Sequence, residues 1–142
     1  MSRILVVDDA ATVRLYQRQL LEQAGFLVDE AINGLEAQEQ IARHGGYDLY
    51  LVDVNMPLQD GYGFLRALRA MPISPAPAVV ISTEAAAIDR ERAYAAGANF
   101  YLVKPIRPDL LLQVCQRFLA ASLGLANASQ RAVQPSNHGG EQ

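Results

Sequence analysis

Cysteine occurs once in this 142-residue chain, at Cys115, and tryptophan not at all. A single thiol excludes an internal disulfide framework and a cysteine-rich zinc site, so Cys115 reads as a small core residue. Long hydrophobic runs are missing too: none approaches the roughly 20 residues that cross a bilayer. Met1-Ser2-Arg3 leads straight into an apolar segment and leaves no room for a signal peptide, so the expected compartment is the cytoplasm. Nor does one sign of charge dominate. The 12 basic and 15 acidic residues leave a net charge of −3, which gives no general argument for binding nucleic acid or an anionic membrane. The two histidines carry no motif: His44 sits near a helix end beside Gly45-Gly46, and His138 stands alone near the C-terminus. Gly61-Tyr62-Gly63 lacks the lysine of a phosphate-binding loop, so nucleotide binding has no support.

What is present is an alternation. Hydrophobic residues make up 51% of the chain and charged ones 19%, a globular balance at a length that buries one ordinary core. Apolar runs at 4–7, 27–32, 49–53, 78–81 and 100–103 read as strands, and helical periodicity fills 11–24, about 35–44, 61–70, 85–96 and 108–123. In the first helix Val13, Tyr16, Leu20 and Ala24 form the expected apolar stripe, with Arg14, Gln17, Arg18 and Glu22 elsewhere. Gly25 fits the left-handed residue that commonly closes a helix. Asn33-Gly34 suits a hairpin turn, but Leu35, Ala37, Ile41 and Ala42 then recur at helical spacing. Five strands alternating with five helices predict an α/β sheet covered on both faces and joined by right-handed crossovers. Beyond Leu123 the apolar periodicity stops. Residues 1–123 are therefore expected to form the domain, and 124–142 a flexible polar tail.

Polar groups gather at the strand ends. The first run closes in Asp8-Asp9, the third in Asp53 before Val54-Asn55-Met56-Pro57, the fourth in Ser82-Thr83 and the fifth in Lys104-Pro105. In an open parallel sheet these ends line one edge, where ligands usually bind. Three acids, a hydroxyl and an amine suit a divalent cation and a phosphoryl group. A carboxylate attacks phosphorus only when its repulsion from the phosphoryl oxygens is offset, and Mg²⁺ does this with a few hard oxygen ligands. Asp9 and Asp53 would bind it directly, Asp8 directly or through water, and a backbone carbonyl near Asn55 would complete the set. Lys104 supplies positive charge from the opposite side, and Ser82 a hydrogen bond to a phosphoryl oxygen. Transfer to Asp53 would give an acyl phosphate. Each group alone has a plainer reading. Asp8-Asp9 could cap the first helix, Asp53 could be a turn residue and Tyr101 an edge aromatic. In combination the chemical reading outweighs these, except at Asp60-Gly61, which read as the cap of the third helix and the closure of its loop.

Taken in order, Asp8-Asp9, Asp53, the Asp53-x-x-Met56-Pro57-x-x-Asp60-Gly61 loop, Ser82 and Lys104-Pro105 resemble the receiver domain of bacterial two-component response regulators. The resemblance covers nearly the whole chain up to the tail. It implies a flavodoxin-like (βα)5 fold with sheet order 2-1-3-4-5. It also implies Mg²⁺ as cofactor, a cis bond before Pro105, and Asp53 as acceptor from the phosphohistidine of a sensor histidine kinase or a histidine phosphotransfer protein. A switch is implied as well. Ser82 is drawn toward the phosphoryl group, Tyr101 rotates into the vacated space, and the surface of helix four, strand five and helix five changes for a downstream partner. Asn55 and Glu84, each two residues past Asp53 and Ser82, are similar to the pair in chemotaxis-type single-domain regulators and imply a short phosphate lifetime. Thr83 departs from the alanine that receivers commonly carry, and its extra branch can restrict the inward movement of Tyr101.

The chain shows no DNA-binding helix pair, cyclase or phosphodiesterase segment. The expectation is a stand-alone receiver, monomeric while unphosphorylated, that signals through a partner protein and catalyses only its own phosphorylation and dephosphorylation. Two rivals stand beside it. A phosphorylation-independent scaffold is opposed by the complete set of acids, hydroxyl and lysine. A phosphohydrolase with an aspartate nucleophile is opposed by Asn55, where many such enzymes place a second acid, and by the lack of a cap domain.

Overall fold

The computed structural model describes residues 1–133, with side chains to residue 121. Strands β1 (Arg3–Val7), β2 (Leu27–Ala31), β3 (Leu49–Asp53), β4 (Ala78–Ser82) and β5 (Phe100–Val103) alternate with helices α1 (Ala11–Gln23), α2 (Gly34–His44), α3 (Gly61–Ala70), α4 (Ala87–Ala96) and α5 (Pro108–Val133). All pairings are parallel, in the order β2-β1-β3-β4-β5. This is the flavodoxin-like arrangement that the resemblance implied.

The three inner strands are buried on both faces, which is why their sequences run apolar without a break. Alternate residues serve opposite layers. Leu5, Val7, Tyr50, Val52 and Val80 pack under α2, α3 and α4, against Ile41, Phe64, Leu65 and Ala93. Ile4, Val6, Leu49, Leu51 and Val79 face α1 and α5, against Leu21, Leu111 and Cys115. The edge strands β2 and β5 expose Leu27 and Phe100.

Asn33 caps a helix and makes no hairpin. Its Oδ1 accepts from the Glu36 amide at 2.9 Å, and the Glu36 carboxylate accepts from the Ile32 amide at 2.8 Å, a reciprocal cap that starts α2. Gly25 has φ of 97° and closes α1 as expected.

Three expectations need correction. The inner face of α1 is built on Gln17 and Leu21, whereas Tyr16 is exposed. Apolar spacing favoured Tyr16, but the i,i+4 pair 17 and 21 lies over the sheet and Tyr16 reaches the rim. Helix α4 starts at Ala87, two residues later than expected, after Ala86, which supplies no capping side chain; the helix buries only Ala93 and Ala96. Helix α5 runs to Val133, past the expected end at Leu123. Residues 124–133 hold Ala, Leu, Gln and Arg beside Asn, Ser and Val, with one Gly and no Pro. Apolar periodicity had marked the end of a buried face, while helix propensity carried the backbone onward. The rest of the expected tail, 134–142, lies outside the described residues.

Candidate functional site

Strand register assembles the site. Val7 lies opposite Val52, so Asp8 and Asp53 follow side by side. Asp53 lies opposite Ile81, with Ser82 one residue on, and Ser82 lies opposite Val103, with Lys104 one residue on. Asp53 and Ser82 close their strands, Asp8 and Lys104 follow theirs by one residue, and the four converge at the C-terminal edge.

The Lys104 ammonium bridges two carboxylates: Nζ lies 3.3 Å from Asp8 Oδ2 and 3.2 Å from Asp53 Oδ1. Asp8 is 3% exposed and Asp53 8%, while Asp9 faces solvent. Carboxylate oxygens of Asp8, Asp9 and Asp53 all lie within 4.8 Å of one another. Burial, and then the Asp8 charge, push the Asp53 carboxyl above its ordinary pKa even though Lys104 opposes the shift. For Lys104 burial favours losing the proton, but the charges of Asp53 and Asp8 outweigh it and raise its pKa. One ammonium does not neutralise three acids. An all-oxygen donor set, electrostatically unsatisfied and open to water at Asp9, fits a small hard cation such as Mg²⁺.

The capping alternative for the acid pair fails at Asp8. Its Oδ1 accepts from the Ala10 amide at 2.9 Å in a local turn, and α1 begins at Ala11, after Ala10, with no side-chain cap. Asp9 makes no hydrogen bond or ion pair among the described residues.

The β3–α3 loop sits close against the Asp53 backbone. Asp60 Oδ1 accepts from the Gly63 amide at 2.8 Å and caps α3, and the Gly61 amide donates to the Val54 carbonyl at 2.9 Å. A Cβ on Gly61 would overlap the Asp53 carbonyl oxygen and lie 2.9 Å from Val54 Cα, so only glycine fits. Pro57 and Asn55 are exposed, and Leu58, 82% exposed, takes a left-handed φ of 67°. Gln59 belongs to no motif, yet it anchors the loop. Its Oε1 accepts from Gln38 at 2.6 Å and its carbonyl from the Gly34 amide at 3.0 Å, tying the loop to α2. Pairs so far apart in the chain leave no spacing to read.

On the β4 side, Ser82 is buried and its Oγ accepts from the Glu84 amide at 3.1 Å. Tyr101 lies inside, 3% exposed, with its hydroxyl donating to the Glu84 carbonyl at 2.8 Å and the Arg90 guanidinium 5.2 Å from its ring centroid. Thr83 is exposed while the Tyr101 ring is buried. The Glu84 side chain is exposed. The Lys104–Pro105 bond is cis. Beside Lys104, an open groove of about 270 Å³ runs between α1 and the β5–α5 loop, lined by Val13, Tyr16, Gln17, Ile106 and Leu111.

Comparison with known proteins bears on this edge directly. Residues 4–116 match the model of the response regulator receiver domain. The chain is 38% identical over 103 residues to the gliding motility regulatory protein of Myxococcus xanthus, covering 72% of this chain and 13% of that protein. It is 36% identical over 116 residues to the transcriptional regulatory protein ResD of Bacillus subtilis, covering 80% of this chain and 46% of that one. The chain thus spans less than half of either relative. The crystal structure of the chemotaxis protein CheY4 of Vibrio cholerae superimposes with a TM-score of 0.78 at 33% identity, covering 83% of this chain and 98% of that one. With the matched span reaching from β1 into α5 and the sheet order shared, the chain belongs to the response regulator receiver domain family.

Proposed function

We propose that Asp53 accepts a phosphoryl group from a phosphohistidine on a sensor histidine kinase or a histidine phosphotransfer protein. Mg²⁺ would be held by Asp8, Asp9, Asp53 and the backbone carbonyl of Asn55. The observation that carries this reading is a buried Asp53 carboxylate facing Lys104 within a three-acid cluster. When bound, the metal supplies positive charge that offsets repulsion between the acids and the phosphoryl oxygens. An Asp53 oxygen forms the new P–O bond while the P–N bond to imidazole breaks, the ring nitrogen keeping the electron pair. Lys104 attracts the phosphoryl oxygens from its side, and the Ser82 hydroxyl turns from the Glu84 amide to donate to one of them.

The donor must bring an imidazole to Asp53, so its docking surface has to adjoin Lys104. The groove between α1 and the β5–α5 loop meets that need. Its walls are apolar apart from Lys104, the Tyr16 hydroxyl and Gln17, which is 5% exposed and whose amide has no hydrogen-bond partner among the described residues. Such walls suit a helix of the donor. On the output side, Ser82, Glu84 and Tyr101 link the site to α4 and β5, and the exposed apolar residues Ile88, Tyr94, Phe100 and Leu110 offer contacts to a downstream protein. Asn55 and Glu84, both exposed beside the site, are assigned to orienting the water that hydrolyses the acyl phosphate. N55A and E84A should each lengthen its lifetime.

No described helix is long and apolar enough to cross a membrane. We assign the chain to the cytoplasm, as a monomer while unphosphorylated, and residues 124–142 to an accessory extension.

The test is intact-protein mass after incubation with phosphoramidate, with and without Mg²⁺, alongside D53N. One Mg²⁺-dependent phosphate, absent from D53N, is expected. No adduct and no donor consumption would favour the phosphorylation-independent scaffold. Sustained turnover of a phosphate monoester would favour the phosphohydrolase.

A further inference from the structure

Arg14 is absent from every motif discussed so far, yet it holds the peptide that joins the two acids. From the first turns of α1 its Nη1 donates to the Asp8 carbonyl at 2.9 Å. That carbonyl belongs to the Asp8–Asp9 peptide group, so its orientation sets the direction in which the Asp9 side chain leaves the backbone. Asp8 is otherwise well fixed. Its amide donates to the Ala31 carbonyl at 3.1 Å, and its carboxylate is held by Ala10 and Lys104. Asp9 has no such partners, and the grip on the shared peptide is what orients it.

The same guanidinium is held in turn. Arg14 Nε lies 3.0 Å from Glu30 Oε1 at the end of β2, and Glu30 Oε2 lies 2.7 Å from Arg18 Nη1. Hydrogen bonds from Arg18 and Arg14 keep the Glu30 carboxyl below its ordinary pKa despite burial. Its negative charge faces Arg14, so the grip places little net positive charge against an incoming cation. A lysine cannot reproduce this arrangement, because its ammonium lacks the planar fork that reaches two acceptors in different directions.

We infer that Arg14 is a positioning residue for the divalent cation. By fixing the Asp8–Asp9 peptide it pre-orients Asp9, with Glu30 as its counter-charge. This inference rests on the Mg²⁺ site proposed above. Groups that hold metal ligands from behind typically contribute 10–100-fold to affinity. Here the grip is on backbone, so the low end is expected.

The experiment is an amide NMR titration of the full chain with MgCl₂, following residues 9, 53 and 54, on wild type, R14A, R14K and D9N. Thermal denaturation of each variant supplies a folding control. Wild type should saturate, D9N should bind far more weakly, and R14A and R14K should each show an apparent Kd raised about tenfold with the native spectrum retained. R14K keeps the charge and most of the stem, so it decides the matter should R14A unfold. Saturation of wild type with an unchanged Kd in R14K would overturn the role of Arg14 and leave the metal site standing. Absence of any saturable shift in wild type would overturn the metal site itself, and the inference with it.

Discussion

The Tyr101 hydroxyl donates to the Glu84 carbonyl at 2.8 Å, and the amide of the same residue donates to Ser82 Oγ at 3.1 Å. The backbone of residue 84 is therefore shared between a strand-end hydroxyl beside Asp53 and an aromatic ring on β5. Y101F removes one of the two contacts while keeping the ring. It should cost about 0.5–1 kcal/mol, because the carbonyl left behind is near the surface. Chemical denaturation and the amide shifts of residues 84 and 85 would read this; unchanged values of both would show that the ring holds its place by packing alone.

Lys104 should separate two properties that most site mutations damage together. Its ammonium stands 3.2 Å from Asp53, where it opposes a cation and assists a phosphoryl group. K104M is expected to tighten Mg²⁺ binding severalfold while slowing phosphorylation by phosphoramidate about 100-fold. Weaker Mg²⁺ binding in this variant would contradict the electrostatic account.

Asp53 should act as a pH-dependent burden on stability. Burial and Asp8 raise its pKa in the folded state. The folded protein therefore holds this proton more tightly than the unfolded chain. The associated stability is fully present below the unfolded-state value and is lost as pH rises through the higher folded-state value. D53N removes the charge, so without Mg²⁺ at neutral pH it should be the more stable form. A gain of about 1 kcal/mol would raise Tm by about 2–4 °C. The advantage should shrink as the pH falls and the wild-type carboxyl takes up its proton. A D53N advantage that grew on acidification would contradict the sign.

Gly61 offers a steric test. A Cβ there would overlap the Asp53 carbonyl oxygen, and backbone cannot swing aside as a side-chain tip does. G61A should destabilise the fold by about 3 kcal/mol and shift the amides of residues 53 and 54. A near-neutral Tm would mean that the loop relaxes without loss.

The inner strands and the strand-end residues were legible because burial on both faces writes an unbroken apolar run, and each run stops where a polar group begins. Asp8, Asp53, Ser82 and Lys104 meet at one edge through a register that the runs already contained. The side chains that brace these groups from behind were not legible. Arg14 with Glu30, and Gln38 with Gln59, are polar pairs 16 and 21 residues apart, joined only once strands and helices have packed. Gln17 was misplaced because a polar residue over the sheet leaves no hydrophobic signal. The end of α5 was set too early because periodicity reports a buried face, whereas helix continuation needs only favourable propensity.

Helix α4 follows Ala86, which has no side chain to satisfy its first amides, and the residues it buries are two alanines. Little apolar contact is lost when it detaches, so its opening should require much less free energy than unfolding of the sheet. Amide hydrogens of residues 87–92 should exchange earliest among the helices from α1 to α4, while those of β1, β3 and β4 persist to the global limit. Whatever pulls on residue 84 therefore acts on the most loosely moored of these four helices.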